Sequence, residues 1–245
     1  MVLNLYLSSI LDLIFPPRCQ ICREPGPENI CKNCITKIKT IDQKNVCVYC
    51  GEPQNDQPFK NAVLCSRCVI EKPHYTIARS IAIYEGTLKK AIHAFKFKGK
   101  KNLAQHLGKF MALSIEENLP EIRYCHADAV VTVPLSQNRL KSRGFNQIDC
   151  LAEVFSAYAN IPHEKDILAR VRDTKPQFDL PKHKRKENIQ GAFVIKRPND
   201  IYGRRLLLLD DIYTTGYTVN ECAKVLIKCG AAKVYILTLS RAILA

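Results

Sequence analysis

Two adjacent carboxylates and a run of hydroxyl side chains stand close together near the end of the chain. The acids are Asp210 and Asp211. The residues that follow them are Thr214, Thr215, Gly216, Tyr217 and Thr218. Threonine hydroxyls and the free N–H groups of a helix N-terminus bind phosphate, because the helix dipole adds positive potential there. Carboxylates repel phosphate but accept hydrogen bonds from sugar hydroxyls, so the pattern predicts a site for a phosphorylated sugar.

The flanking sequence indicates which elements position this site. Leu206 to Leu209 form an uninterrupted apolar run, which is typical of a parallel strand buried on both faces. The two acids stand where this strand is expected to end, and a helical pattern begins at Val219. Ligands bind at the carboxyl edge of such sheets, where Gly216 would let the backbone approach them. The alternative is a solvated turn with an aspartate cap, which the combination of acids, threonines and glycine disfavours.

Eight of the twelve cysteines form four C-x2-C pairs in the N-terminal third of the chain. The pairs are Cys19 and Cys22, Cys31 and Cys34, Cys47 and Cys50, and Cys65 and Cys68. Two such turns complete a tetrahedral shell, so the spacing predicts two structural zinc ions whose four thiolates leave no position for water. Sequential pairing of the turns is favoured over interleaved pairing, because it closes shorter loops. Disulfides are the alternative, which four repeats of one spacing disfavour.

The composition is that of an ordinary soluble globular protein, with 47% hydrophobic and 24% charged residues. The net charge of +14 and the pI of about 9.3 predict attraction to the phosphates of substrates, nucleic acid or anionic lipid. Thiolate zinc sites suit a reducing compartment, so we expect a cytoplasmic location. The apolar residues 2–15 are too few to span a bilayer, which needs about 20 residues. We expect a short helix there that docks on the protein, with attachment to a membrane surface as the alternative.

The segment from Leu206 to Thr218 resembles the phosphoribosyl pyrophosphate (PRPP) loop of type I phosphoribosyltransferases at every defined position. Residues 139–147 resemble the pyrophosphate loop of these enzymes, and the polar residues 172–188 resemble their flexible lid. The resemblance implies that Asp210 and Asp211 bind ribose, that residues 214–218 bind the 5-phosphate, and that magnesium accompanies PRPP. It also implies that arginines bind the pyrophosphate. These are Arg143, Arg170 and Arg185.

The order of these features along nearly the whole chain resembles the ComF family of competence-associated proteins. The shared features are cysteine pairs after Phe15-Pro16-Pro17, the motif Arg143 to Gln147, then Arg170, Gln177, Arg185 and Asn188, and finally the PRPP loop. The resemblance implies an α/β fold with a small double zinc ribbon at residues 1–73. A type I phosphoribosyltransferase-like domain with a mainly parallel sheet flanked by helices follows at residues 74–245.

The same resemblance implies PRPP binding and a role in the uptake of single-stranded DNA, with competence-machinery proteins as partners. It leaves turnover open. A metabolic phosphoribosyltransferase that acts on another acceptor is one alternative, and a non-catalytic PRPP sensor is another.

A basic stretch with interleaved aromatic residues adds a candidate for nucleic-acid contact. Its members are Lys96, Phe97, Lys98, Lys100 and Lys101. Phosphate attraction and base stacking would suit a single strand. The stretch by itself favours a plain helix with Phe95 in the core and solvated lysines. The family resemblance and the net charge of +14 shift the prediction toward single-stranded DNA.

Overall fold

The computed structural model describes residues 17–54, 64–97, 101–123, 125–174 and 184–243. The apolar lead-in that we expect at residues 2–15 lies outside these ranges. The strands of the described residues are β1 (Ile77–Ile83), β2 (Ala129–Thr132), β3 (Leu168–Arg170), β4 (Phe193–Ile195), β5 (Arg205–Tyr213) and β6 (Lys233–Arg241). Four of them form one parallel sheet in the order β1-β6-β5-β2, and β3 pairs with β4 in a separate antiparallel ribbon.

Helices connect the strands and cover the parallel sheet on both faces. The α-helices of the described residues are α1 (Lys32–Thr36), α2 (Ser66–Ile70), α3 (Gly86–Phe97), α4 (Leu103–Asn118), α5 (Pro120–Arg123), α6 (Gln137–Arg143), α7 (Gln147–Ala159), α8 (Lys184–Ile189) and α9 (Tyr217–Lys228). The expected α/β class, a mainly parallel sheet flanked by helices behind a small cysteine ribbon, is confirmed. None of the helices within the described ranges is long and apolar enough to cross a membrane.

Strand β5 is the central element that the leucine run predicts. Leu207 and Leu209 face the core formed with α3, α4 and α7, and Leu206 and Leu208 face the core that includes α9 and the β3–β4 ribbon. All four side chains are buried, as the apolar run predicts for a strand covered on both faces. The strand does not end at the acids, because its pairing with β6 continues to Tyr213.

The cysteine ribbon lies along β1, which is one of the two edge strands of the parallel sheet. The Ile41 N–H donates to the carbonyl of Ile81 at 2.9 Å, and the Ile83 N–H donates to the carbonyl of Lys39 at 2.8 Å. The Ala78 N–H donates to the carbonyl of Tyr49 at 2.7 Å. An edge strand offers unpaired N–H and C=O groups, and the ribbon satisfies part of that edge.

The structure refines the sequence expectations for the segment after β2. The predicted pyrophosphate loop contains most of helix α6, which ends at Arg143. The next residue, Gly144, has φ of 72°, and its N–H donates to the carbonyl of Leu140 at 2.9 Å. The apolar residues Ile167 and Leu168 begin the segment that forms β3, which pairs with β4 in the small antiparallel ribbon. The predicted lid contains α8, and its residues 175–183 lie outside the described residues.

Candidate functional site

The loop between β5 and α9 has three residues, Thr214, Thr215 and Gly216. We call residues 210–218 the phosphate loop. Gly216 has φ of 80°, and a Cβ there would lie 2.1 Å from the Tyr213 hydroxyl, so only glycine fits. Thr215 is buried, and its Oγ1 has no hydrogen-bond partner. The first N–H groups of a helix have no partner inside the helix, so this loop offers several donors to a phosphate.

The two acids of the phosphate loop have different surroundings. Lys96 Nζ lies 2.8 Å from each carboxylate oxygen of Asp211, and Gln147 Nε2 donates to Asp211 Oδ2 at 3.2 Å. The Asp210 carboxylate accepts a hydrogen bond of 2.8 Å from the Asp211 N–H. Burial, together with the negative charge of Asp211, raises the pKa of Asp210 to about 7. Asp211 is therefore held by a cation, and Asp210 can gain or lose a proton near neutral pH.

The described lysines of the basic stretch lie beside this site. Lys96 pairs with Asp211, and both side chains are largely buried. Lys101 Nζ lies 5.0 Å from the centre of the Phe145 ring, which packs 5.9 Å from the ring of Phe95. Lys98, Lys100 and the side chain of Phe97 lie outside what the structure describes. Lys96 thus belongs to the candidate site around Asp210 and Asp211.

The arginine candidates occupy several elements around the acids. Arg143 ends α6, Arg170 ends β3, and Arg185 lies on α8, which packs against α9. Burial lowers the pKa of Arg143 and of Arg170, and the positive charge of Arg139 lowers each further. Asp211 raises the pKa of Arg143, and Asp210 raises that of Arg170. The charge of Arg139 acts on both Arg143 and Arg170, so we call these three residues the arginine cluster, and such a cluster suits a polyanion.

The four cysteine pairs form two clusters, as sequential pairing predicts. In each cluster the four sulfur atoms lie within 4.8 Å of one another. Sγ distances are 3.8 Å for Cys19 and Cys34 and 3.6 Å for Cys50 and Cys65. Tetrahedral zinc with Zn–S bonds of about 2.3 Å places its sulfurs about 3.8 Å apart, so both clusters fit zinc. We call the clusters of residues 19–34 and 47–68 the first and second zinc sites.

The second zinc site touches the phosphate loop. The guanidinium of Arg67, on α2, donates to the carbonyl of Thr215, and the hydroxyls of Tyr75 and Tyr213 lie 2.8 Å apart. A small cleft lies between the two regions. Its lining includes Cys50, Arg67, Cys68, Tyr213, Thr215 and Tyr217.

Sequence reasoning missed several of these residues as parts of the site. Arg67 stands between two zinc ligands and carries no motif of its own. Arg139 and Gln147 stand in the segment that resembles a pyrophosphate loop, so that resemblance was the available signal. The basic and aromatic neighbours of Lys96 in the chain predict contact with nucleic acid, and nothing local indicates its pairing with Asp211.

Residues 10–69 match the model of a double zinc ribbon domain. The chain is 32% identical to DNA utilization protein YhgH of Escherichia coli (strain K12), over 94% of this chain and 99% of that protein. It is 28% identical to Competence protein ComFC of Bacillus subtilis (strain 168), over 87% of this chain and 85% of that protein.

Among solved structures, the chain is similar to glutamine PRPP amidotransferase from B. subtilis, in complex with ADP and GMP. The identity is 22%, the TM-score is 0.36, and the match covers 55% of this chain and 25% of that one. The 32% identity to the E. coli protein extends over nearly the full length of both chains, through zinc ribbon and α/β domain alike. The chain therefore belongs to the ComF family of competence-associated proteins, and its N-terminal part is a double zinc ribbon.

Proposed function

We propose that the protein binds PRPP at the phosphate loop. The observation that carries this proposal is the meeting of two acids, a hydroxyl-rich loop at a helix N-terminus and an arginine cluster at one edge of the parallel sheet. Asp210 and Asp211 would accept hydrogen bonds from the ribose hydroxyls, and residues 214–218 would bind the 5-phosphate. Arg143, Arg170 and Arg185 would bind the pyrophosphate, and the charge of Arg139 adds to theirs.

Magnesium would arrive with PRPP. The groups of three or more metal-ligating side chains found in the described ranges are the two cysteine clusters, and soft thiolates are poor magnesium ligands. The phosphate and hydroxyl oxygens of PRPP are hard ligands of the kind that magnesium prefers. The metal would offset the charge of the pyrophosphate, while Asp210 would accept a hydrogen bond from a ribose hydroxyl.

A catalytic role and a sensor role both use this pocket. In transfer, an acceptor attacks the anomeric carbon of ribose as the bond to pyrophosphate breaks, and the pyrophosphate leaves with the bonding electrons. The arginine cluster would stabilise the charge that grows on this leaving group. A sensor would bind PRPP in the same place without an acceptor. Release of pyrophosphate from PRPP in the presence of cell extract, as a source of acceptors, separates the two roles.

The first test is isothermal titration of PRPP with magnesium into the wild-type protein and the variants Asp210→Asn and Asp211→Asn. Each variant keeps the size of the side chain and removes a charged acceptor. We expect each to weaken binding by about ten- to a hundredfold, because a hydrogen bond to a charged group contributes about 1.5–3 kcal/mol. Glu153→Gln, which alters an exposed carboxylate on α7, is the control. Equal affinity in all four proteins would refute the assignment.

We further propose that the protein contacts single-stranded DNA in a competence role together with other proteins of the uptake machinery. A relative named for competence, another named for DNA utilization, and the charge of +14 support this proposal. The zinc thiolates suit a cytoplasmic location. Lys101 and the lysines outside the described residues are the candidates, because Lys96 is engaged with Asp211.

Fluorescence anisotropy with a labelled single-stranded oligonucleotide, across a salt series and with or without PRPP, tests the DNA role. Affinity should fall steeply with salt, because each neutralised phosphate releases counterions. PRPP should compete if DNA uses the arginine cluster. An absence of binding at low salt would exclude DNA contact by the isolated protein.

A further inference from the structure

Arg67 links the second zinc site to the phosphate loop. One end of its guanidinium donates to the carbonyl of Thr215. The other end pairs with the carboxylate of Glu52 at 2.7 Å. Arg67 lies on α2 between the zinc ligands Cys65 and Cys68, and Thr215 is the middle residue of the three-residue loop. A single side chain therefore spans from the zinc knuckle to the phosphate loop.

A second arginine makes the same connection from the sheet. Arg241, at the end of β6, is buried, and its guanidinium donates to the carbonyl of Cys50. The same guanidinium lies 3.9 Å from the centre of the Tyr213 ring, in cation–π range. Tyr213 in turn lies directly under Gly216. The second zinc site thus supports the phosphate loop both at its backbone and at the ring beneath it.

Helix α2 cannot hold Arg67 in place by itself. It has five residues, and isolated helices shorter than about 12 residues are marginal in water. Its geometry depends on the thiolates at Cys65 and Cys68, which four-sulfur coordination fixes relative to Cys47 and Cys50. The orientation of Arg67 toward Thr215 therefore depends on an intact second site.

We propose that Arg67 is a positioning residue for the phosphate loop, and that the second zinc site, through Arg67, sets the affinity of the loop for the phosphate of a ribose 5-phosphate ligand. The part about affinity rests on the proposed PRPP binding. A peptide carbonyl held by a guanidinium fixes the plane of the Thr215–Gly216 peptide. That plane sets the direction of the Gly216 N–H and the entry of the chain into α9. Occupancy of this structural zinc site would then change the affinity of the phosphate loop for its ligand.

The test compares three variants of the full-length zinc-loaded protein. Arg67→Gln removes the charged fork, Arg67→Lys keeps one donor, and Arg18→Gln is the matched control. Arg18 lies beside the first zinc site, where its guanidinium also donates to a backbone carbonyl, that of Arg23 at 3.3 Å. Zinc content is measured on each protein. Hydrogen–deuterium exchange then reports on the loop without ligand, and calorimetry reports on PRPP with magnesium.

We expect Arg67→Gln to keep two zinc ions and to exchange the amides of residues 210–218 about tenfold faster than wild type, with β2 unchanged. PRPP affinity should fall about tenfold, the value of one charge-assisted hydrogen bond. Arg67→Lys should restore part of the exchange protection and part of the PRPP affinity, and Arg18→Gln should match wild type in both measurements. A loss of exchange protection that is confined to residues 210–218 distinguishes a positioning role from a general loss of stability.

Loop exchange and PRPP affinity equal to wild type in Arg67→Gln would overturn the proposal. If that variant loses zinc, Glu52→Gln decides the question, because it keeps the side-chain shape and removes the charge that holds the far end of Arg67. Its zinc content is measured as well, since Glu52 Oε2 also lies 3.9 Å from Cys50 Sγ. Faster loop exchange in Glu52→Gln then supports the proposal, and unchanged exchange overturns it. If wild type binds no PRPP, the proposed function fails, while loop exchange still decides the positioning role of Arg67.

Discussion

The two zinc sites have the same ligands at the same C-x2-C spacing, and they differ in their surroundings. In the first site Cys22 is exposed and Cys31 is partly exposed, whereas all four cysteines of the second site are buried. Cys19 and Cys34 belong to the core that includes α3 and α4. The cysteines of the second site belong to the opposite core, together with Tyr75, Tyr213 and Val219.

This difference shows that the ligand set identifies the metal but not its role. Four thiolates make each site structural, because neither leaves a position for a reacting water. The cysteines of the first site pack against apolar core residues. The second site has Arg67 and Tyr75 at its border, and these residues reach the phosphate loop. We therefore expect the same chemical change to have different consequences at the two sites.

Loss of one ligand at each site should give the largest effect. Cys68→Ser should lower PRPP affinity by more than about tenfold and lower the melting temperature, since it releases α2 and Arg67. Cys22→Ser removes an exposed ligand from the first site and should change PRPP affinity by less than about threefold. Zinc analysis should show a fall from two ions to one in each variant, and calorimetry gives the affinities.

The affinity is compared only in folded protein, because either variant can lower the yield. Size exclusion isolates the folded protein of each variant, and a far-UV circular dichroism spectrum checks its secondary structure. Equal losses of PRPP affinity in the two variants would remove the functional distinction between the sites. A loss of PRPP affinity in Cys22→Ser but not in Cys68→Ser would assign the functional role to the first zinc site instead.

Tyr75→Phe should give the next largest effect. It leaves the buried Tyr213 hydroxyl without its partner at 2.8 Å, and an unpaired buried hydroxyl lowers the free energy of unfolding by about 1–3 kcal/mol. Denaturant unfolding measures this change. The double variant Tyr75→Phe with Tyr213→Phe removes both hydroxyls and should recover much of the loss. A double variant that loses the sum of the two single losses would show that this pair is not coupled.

Asp210→Asn should raise the melting temperature by a few degrees at pH 8 and by less at pH 5. Folding raises the pKa of Asp210 to about 7 from its usual 3.8, so the native state retains a proton that the unfolded chain releases between about pH 4 and pH 7. The stability contributed by this group falls as the pH rises through that window, and asparagine has no such fall. Melting curves at the two pH values measure the difference.

Asp128→Asn is the control, because the stability that Asp128 contributes should depend on pH in the opposite direction. The hydrogen bonds from Arg205 lower the pKa of Asp128 to about 2, so its contribution is present at neutral pH and is lost as the pH falls toward 2. This variant should therefore melt below wild type at pH 8. A pH-independent effect of Asp210→Asn would contradict the raised pKa of Asp210.

The sequence predicts the elements of this molecule better than their contacts. Leu206 to Leu209 have a local pattern that specifies a strand buried on both faces, and the cysteine spacing specifies both zinc clusters. Arg67 meets Thr215 across 148 residues, and Lys96 meets Asp211 across 115 residues. Such contacts depend on how the cysteine ribbon and α3 pack against the sheet, and no local sequence pattern encodes that packing.

The boundary of strand β5 illustrates the same limit. Two acids after an apolar run predict the end of a strand, because carboxylates are rarely buried. The strand continues to Tyr213 because β6 offers backbone partners as far as Arg241. Tertiary pairing thus overrides the local polarity, and it brings Asp210 and Asp211 into the strand side by side, where the charge of Asp211 adds to desolvation in raising the pKa of Asp210.

The smallest effects should come from two surface ion pairs that join the ribbon to the rest of the chain. Glu71, beyond the second zinc site, lies 2.6 Å from Lys186 on α8, and Lys39, beyond the first, lies 2.5 Å from Glu85. All four side chains are well exposed, so solvent screening offsets most of the attraction. Glu71→Gln and Glu85→Gln should each shift the melting temperature by less than about 4 °C, and the shift should shrink in high salt. A large effect of Glu71→Gln alone would mean that the ribbon supports α8 as well as the phosphate loop, and the contrast between the two zinc sites would then extend beyond Arg67.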